Sequence, residues 1–450
     1  MAVKIIMGLQ YGDEGKGRAS HFEARNAKIV VRATGGANAG HTVVVNGKKY
    51  VMHILPSAII RDDVLCIISH GVVFDLELGY KEIMAMRNEV GATITSENFL
   101  ISERAHITLP HHRQLDRLYE FLKEDKVGTT MKGVGPTYEE KMRRTNIRMC
   151  DLFLDDEILF HKIEENLKVY NILAKNVNQM IEEEKLDEEK FPEYSARDEL
   201  EFCLNFAEYL KPYITNTQKV IEEAIANDED IIIEGAQSYY LDIDGPSYPM
   251  CTSSHPNASG TAEGAGIGPT LIDEVIGVIK AYTSRVGNGP FVTELPAHIK
   301  DGKVVSYEPE QAYDGDKIRE AGHEYGSTTK RPRRCGWLDL VMIKSTVGPN
   351  GLTGLCVNHM DTIGKLFDEI QVCTAYVKDG KLIDYVPIDS ENCRPIYTTL
   401  KGGWDTEGVK EYDDLPENAK LYIEFIENYT EVPVKYIGIG ADDSCTIVIE

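Results

Sequence analysis

Residues 5–18 read IIMGLQYGDEGKGR, an apolar run that breaks into glycines, two acids and a lysine. A strand that ends in glycines and feeds a helix turns backbone N–H groups and the positive end of a helix dipole toward an anion. Lys16 adds a point charge. The spacing departs from the common phosphate loop: Gln10 stands where its first glycine belongs, and Gly17 replaces the hydroxyl residue that normally holds Mg²⁺. The gap needs another hard oxygen ligand, and Asp13 is the candidate inside the loop. A second glycine loop, ATGGANAGHTV at residues 33–43, also follows an apolar strand. Its glycines permit close approach of backbone to a ligand. Asn38 and His41 sit among them, and His41 can donate a hydrogen bond to charge developing on a transferred phosphoryl group.

A protein of net charge −25 repels nucleic acid and anionic membrane, so neither is an expected partner. If it binds phosphate it must gather positive charge locally. Two stretches do so: KMRRTNIR (residues 141–148) and TTKRPRR (residues 328–334).

These loops hang on short β-branched runs: VKIIMG, KIVVRATGG, VLCIISHGVV, DIIIEGAQ, EVIGVIKAYTSRVG and LTGLCVNHMD. Several are apolar almost throughout, which marks strands buried on both faces of a parallel sheet. Helical-length segments separate them, so the expected class is α/β. Residues 155–213 read as charged amphipathic helices whose acidic side is a solvated face. No repeat, low-complexity tract or Gly/Ser linker marks a boundary. The expectation is one domain over residues 1–450 with an acidic helical insertion around 155–213. Nine scattered cysteines without a CxxC pair argue against a disulfide framework or a structural zinc. With no bilayer-length apolar stretch and no charged-then-apolar leader, a cytoplasmic protein is expected.

Six blocks follow one another as the motifs of adenylosuccinate synthetase do: GLQYGDEGKGR, GGANAGHT, GVGPTYEEKMRR, EGAQSYYLDIDGPSYPMCTSS, KAYTSRVGNGPFVTEL and EYGSTTKRPRRCGWLDL. The chain resembles that family along its whole length. The resemblance implies a large, mostly parallel central sheet flanked by helices, distantly related to P-loop NTPases, with helical insertions. It implies a homodimeric ligase that joins L-aspartate to C6 of IMP through 6-phosphoryl-IMP, using GTP and Mg²⁺.

Carried over residue by residue, the resemblance makes Asp13 the general base and a Mg²⁺ ligand, with the Gly40 carbonyl as a second ligand. Lys16 and His41 join Asp13 in catalysis. Gly12, Glu14, Gly15, Lys16, Gly17, Arg18, Gly40, His41, Thr42 and Arg333 match the triphosphate site, and His359, Asp361, Gly438 and Gly440 its guanine end. Asp13, Asn38, Thr130, Gln237, Thr252 and Arg331 match IMP contacts, with Arg144 reaching across the dimer to the neighbouring IMP. Ser327, Thr328, Thr329, Arg331 and Arg333 match a loop that captures aspartate, since guanidinium pairs bidentately with carboxylate. Val286 lines the same site.

The chain also departs from the family. NHMD (residues 358–361) replaces a TKxD-like segment, so His359 stands for a lysine. Gly438 stands for a serine, Ala441 for a proline and Arg18 for a lysine. SYY (residues 238–240) replaces a smaller run beside Gln237, with bulk that could reshape the IMP pocket. These changes keep open an ATP donor and a dGMP or GMP acceptor, as in phage-type relatives. A nucleotide-binding regulator without catalysis is the rival of another class, and the intact STTKRPR counts against it.

Overall fold

In the computed structural model, which describes residues 2–124, 126–300, 302–326 and 330–449, the apolar runs form one ten-stranded sheet. In chain order its strands are β1 (Val3–Gly8), β2 (Ile29–Arg32), β3 (Leu65–Ile68), β4 (Phe99–Ser102), β5 (Ile214–Thr215), β6 (Ile231–Ser238), β7 (Glu274–Lys280), β8 (Gly354–Asn358), β9 (Val434–Gly438) and β10 (Thr446–Val448). Across the sheet they run β10-β9-β8-β7-β1-β6-β2-β3-β4-β5. Every neighbouring pair is parallel except β9–β10 at one edge.

Side chains alternate between two cores. Along β1, Ile6 enters one core while Val3, Ile5 and Met7 enter the other. Along β6, Ile232 and the pair Ile231 and Ile233 divide the same way. Both faces are covered, which is why these runs show no polar alternation.

The acidic stretch becomes the helices Asp156–Glu184 and Ala196–Leu210, as expected. On the first, Leu159, Ile163, Leu167, Tyr170, Ala174, Val177 and Ile181 recur every three or four residues and are buried. That stripe packs into the core on the Ile6 side of the sheet, and the acids face outward. Asp155 caps the first helix by accepting from the Glu157 N–H, and Ser195 caps the second by accepting from Asp198. All nine cysteines are unpaired thiols.

A parallel sheet brings the carboxyl ends of its strands to one edge. From β1 the chain crosses past β6 to β2, while β7 enters on the other side of β1. Such a reversal of direction opens a crevice at the carboxyl ends. The run beginning in β7 divides there: Thr283–Arg285 leaves the sheet and pairs antiparallel with Arg334–Gly336. This ladder sets the base of the 326–333 segment beside the end of β1.

Candidate functional site

The loop after β1 is tied from within by Glu14. Its carboxylate is fully buried and accepts from the Gly12 N–H (2.8 Å), the Gln10 N–H (3.1 Å), Lys16 Nζ (2.7 Å) and Ser238 Oγ (2.6 Å). The Glu14 side chain therefore organises the loop from within. Gln10, the residue that breaks the usual spacing, bolts the loop to β7: Nε2 donates to the Tyr282 carbonyl (2.8 Å) and Oε1 accepts from the Lys280 N–H (3.0 Å). Gly12, Asp13 and Gly15 all have positive φ (93°, 62° and 94°), and Gly15 caps the helix α1 (Lys16–Glu23). Left-handed backbone at a non-glycine such as Asp13 is held in place by its surroundings.

Gly17 lacks a side chain for a steric reason. A Cβ there would lie 2.9 Å from His41 Cβ and 2.9 Å from Ser57 Oγ. The helix approaches the second glycine loop too closely for a hydroxyl residue.

His41 begins the strand His41–Val45, and Thr42 follows it half-buried. The His41 Nδ1 is 2.6 Å from Glu234 Oε1; the other Glu234 oxygen accepts from the Ser57 N–H (3.0 Å), and Arg32 lies 3.6 Å from the carboxylate. The three side chains are at most 6% exposed. His41 Nε2 is buried with no hydrogen-bond partner. Burial, reinforced by Arg32, pulls the imidazole below its ordinary pKa. Despite its burial, His41 and Arg32 hold the Glu234 carboxyl below the usual carboxylate range. The unpartnered nitrogen marks a place that a ligand would fill.

A chain of charges, exposed at Asp13 and buried beyond it, joins the first loop to the second basic segment. Asp13, whose side chain is 32% exposed, is paired through Oδ2 with Arg333 (2.9 Å). Arg333 also holds Glu324 Oε2 (2.7 Å), and Glu324 Oε1 accepts from Lys280 Nζ (2.6 Å) and Tyr282 Oη (2.6 Å). Against the penalty of burial, Lys280 and Arg333 hold Glu324 far below the usual carboxylate range. The backbone closes the segment: the Gly326 N–H donates to the Arg331 carbonyl (2.8 Å) and the Arg333 N–H to the Glu324 carbonyl (2.9 Å). Lys330 and Arg331 are exposed. Ser327, Thr328 and Thr329 lie outside the described residues.

A third group forms across the carboxyl ends of β2 and β6. Gln237 Nε2 donates to Asn38 Oδ1 (3.0 Å), and Asn38 Nδ2 lies 3.4 Å from Thr252 Oγ1. Thr252 lines a cavity of about 620 Å³ shared with Thr34, Thr129, Tyr138, Lys141 and Glu263. Thr130, Arg144 and Val286 are exposed. Arg144 sits at the C-cap of the helix Val134–Arg143 with φ 65°. Tyr240 does not crowd this pocket: its ring packs edge-on against Tyr11 (5.7 Å), and its hydroxyl bonds Ser345 (2.6 Å). Ser238 faces Glu14. The expected effect of the SYY bulk on the pocket is thus corrected for these two residues.

The last group gathers at the ends of β8 and β9. Asn358 Nδ2 donates to the Glu14 carbonyl (2.6 Å), and its Oδ1 accepts from Arg18 (2.6 Å), which also reaches the Gly440 carbonyl. Burial raises the Asp361 carboxyl above its ordinary value. His359, with φ 63°, sets its ring 5.4 Å from Tyr282. Burial and the neighbouring Lys280 push its pKa down to about 3, so the ring is uncharged near neutral pH.

The structure therefore joins Asp13 to Arg333, His41 to the start of α1, Asn38 to Gln237 and Thr252, and Arg18 to Gly440. Sequence reasoning missed Gln10, Glu234, Lys280, Glu324 and Asn358 as organisers. A signal existed for two of them. Glu234 in IIIEGA and Lys280 in GVIKAY are charges inside runs buried on both faces, and such charges require partners.

Residues 5–447 match the family model described as adenylosuccinate synthetase. The chain is 46% identical over 456 positions to the adenylosuccinate synthetase of Acetivibrio thermocellus, covering all of both chains. It is 43% identical over 447 positions to that of Halothermothrix orenii, covering 98% of this chain and 97% of the other. Among solved structures, the fully ligated adenylosuccinate synthetase of Plasmodium falciparum matches with a TM-score of 0.83 and 34% identity over the whole of both chains. The succinoaminodeoxyadenylate synthetase of cyanophage S-2L, solved with dGMP and dATP, shares the fold at a TM-score of 0.58 and 17% identity, covering 99% and 95%.

Proposed function

The chain belongs to the adenylosuccinate synthetase family, and on that premise we propose that its crevice joins L-aspartate to C6 of IMP at the expense of GTP. The observation that carries the reading is the meeting of Asp13, Arg333 and the phosphate loop at the end of β1. A purine carbonyl oxygen is a poor leaving group until it is phosphorylated. Asp13 removes the N1 proton of IMP, which puts negative charge on the 6-oxygen and lets it attack the γ-phosphoryl group while the β–γ P–O bond breaks and GDP leaves. The amine of aspartate then displaces phosphate at C6. His41, with Nε2 unpartnered and Nδ1 oriented by Glu234, donates to the phosphoryl group in flight. Lys16 and the N-terminus of α1 neutralise the triphosphate.

Asn38, Gln237 and Thr252, with Thr130 and Arg331, hold IMP. Arg331 and Arg333 hold the carboxylates of aspartate, and Asp361 reads guanine. The family is metal-dependent, and the residues fit Mg²⁺: an accessible carboxylate at Asp13 and the half-buried Gly40 backbone supply hard oxygens, leaving other positions to phosphate and water. Magnesium bound there supplies charge neutralisation of the triphosphate.

We read the chain as one domain over residues 1–450 that works as a homodimer. Met142 and Tyr248, each 69% exposed, rim the cavity that contains Thr252, and Arg144, two residues after Met142, is exposed. Exposed apolar side chains around a ligand cavity suit a second copy of the chain. Among the described residues no helix is long and apolar enough to cross a membrane.

The test is a substrate matrix: IMP, GMP and dGMP, each against GTP and ATP, with aspartate and Mg²⁺. Adenylosuccinate is expected from IMP and GTP, with turnover falling by about 10³-fold or more in Asp13→Ala. Phosphate release that ignores both IMP and aspartate, or no ligation with either triphosphate, overturns the reading.

A further inference from the structure

Two of the chain's departures from its family, Arg18 and Gly438, touch. The Arg18 side chain is 6% exposed at the start of α1, with one terminal nitrogen on Asn358 Oδ1 (2.6 Å) and the other on the Gly440 carbonyl. Its Nε is buried without a partner. A Cβ on Gly438 would lie 2.0 Å from the Arg18 guanidinium and 2.3 Å from Asn358 Oδ1. A clash with the tip of a flexible side chain is normally relieved by rotation. Here both terminal nitrogens are engaged, and Asn358 is fixed by its own bond to the Glu14 carbonyl (2.6 Å). Gly438 therefore makes room for Arg18. In this chain a side chain from α1 fills the space that a side chain at the end of β9 would take.

We propose that Arg18 is a specificity-determining residue for the phosphoryl donor, selecting triphosphates of 6-oxopurines over those of 6-aminopurines. This rests on the reading above, in which Asp361 seats the base beside Gly438 and Gly440. Arginine offers only donors, and beyond its bonds to Asn358 and Gly440 this one keeps N–H groups to spare, the orphaned Nε–H among them. Guanine and hypoxanthine present O6 and N7, two acceptors that suit a guanidinium. Adenine presents the N6 amino group, which sets donor against donor and leaves buried N–H groups unpaired. A serine at 438 would have a hydroxyl able to turn and accept from N6; the Arg18–Gly438 arrangement has no such freedom. His359 is uncharged, and Arg18 is the cation held by both Asn358 and Gly440.

The experiment measures kcat/KM for GTP, ITP and ATP, with IMP and aspartate saturating, in the wild type, Arg18→Lys, Gly438→Ala and the double variant. Equilibrium binding of GDP and ADP and a thermal unfolding scan accompany each. The GTP-to-ATP ratio is expected to fall about tenfold or more in Arg18→Lys, the size of one good polar contact. Gly438→Ala is expected to lower it similarly by displacing Arg18. Adding Gly438→Ala to Arg18→Lys should then cost little more, since the methyl group has lost its obstacle.

An unchanged GTP-to-ATP ratio in Arg18→Lys, or additive effects in the double variant, overturns the proposal. If Arg18→Lys fails to fold, Gly438→Ala decides alone. Asp361→Asn separates the underlying reading, because it should erase the preference of GTP over ITP, which differ only in the 2-amino group. If that preference survives in Asp361→Asn, the assumed seat of the base is wrong. If it is lost while Arg18→Lys changes nothing, the seat stands and only the role of Arg18 falls.

Discussion

At the scale of single residues, chemistry-bearing types in glycine loops were legible, and their states were not. Asp13, Lys16 and His41 stand out because little else explains an acid, a lysine and an imidazole in such loops. The partners of two of them come from distant parts of the chain: Glu234 lies 193 residues beyond His41, and Arg333 far beyond Asp13. His41 shows what this hides. Without ligand, burial and Arg32 keep it below its ordinary pKa, so the neutral ring gives its Nδ1 proton to Glu234 and has none on Nε2 to donate. A triphosphate arriving opposite Nε2 favours the charged ring. Nucleotide binding near neutral pH should therefore take up about one proton at this site. Calorimetric titration of the nucleotide in buffers of different ionisation enthalpy measures the uptake. It should vanish in His41→Asn and shrink in Glu234→Gln, where the imidazolium loses its counter-charge. Equal uptake in all three proteins would show that His41 does not change state.

At the scale of elements, the question left by the opening loop is answered by contact. Gly17 is not a phosphate-loop residue that lost its hydroxyl, because α1 and the start of the His41–Val45 strand meet there with no room for one. Gly17→Ser should gain no metal ligand. It should push His41 or Ser57 aside, costing about 1–3 kcal/mol of stability and lowering kcat more than it raises the KM for IMP. Ser57→Gly in the same chain should recover part of the stability, and urea unfolding with steady-state kinetics measures both. A Gly17→Ser enzyme with wild-type kcat would remove the steric account. A missed element had a clear signal. VVVNGKKYVM carries Asn-Gly between β-branched and aromatic residues, and Asn46 and Gly47 take positive φ (52° and 74°) at the tip of an antiparallel hairpin. The mixed sheet around Glu369–Lys378 carries the same cue at one turn, where Asp379 and Gly380 take positive φ (50° and 75°) between it and Lys381–Ile383, whereas its pairing with Arg394–Lys401 and Leu338–Asp339 depends on partners brought together by the fold.

At the scale of the molecule, the parallel sheet was legible because burial on both faces writes itself as unbroken apolar runs, whereas what fastens the helical insertion to it was not. His111 and His112, on the helix Pro110–Leu122, meet Glu140 from Val134–Arg143 and Glu199 from Ala196–Leu210, all at most 1% exposed. His111 lies 2.8 Å from Glu199 and 3.4 Å from Glu140; His112 Nδ1 accepts the Leu109 N–H, so its Nε2–H is the donor to Glu140 at 2.9 Å. That tautomer turns a proton, not a lone pair, toward the carboxylate, which makes the cluster a charge fastening and not a metal site. Although burial opposes it, Glu199 and Glu140 raise His111 to about 9. The two histidines hold Glu140 down at about 2, again against burial. An imidazole raised in the folded state contributes stability that is complete below its unfolded value of about 6.5 and is lost as pH climbs through its folded value. A depressed carboxylate contributes above about 4.5 and loses its share as pH falls through its folded value. Both contributions are whole only between those limits. Tyr170, whose ring lies 5.9 Å from that of His111, and Tyr119, Tyr194 and Cys203 beside the two carboxylates are titratable neighbours, and burial raises each of them. His111→Gln, which cannot be charged, should be less stable than the wild type at pH 6, and the gap should narrow as pH rises from about 6.5 to about 9 and level off above it. Denaturant midpoints across that interval decide it. Curves that stay parallel would mean that His111 is neutral at pH 6 and that the insertion is held by packing alone.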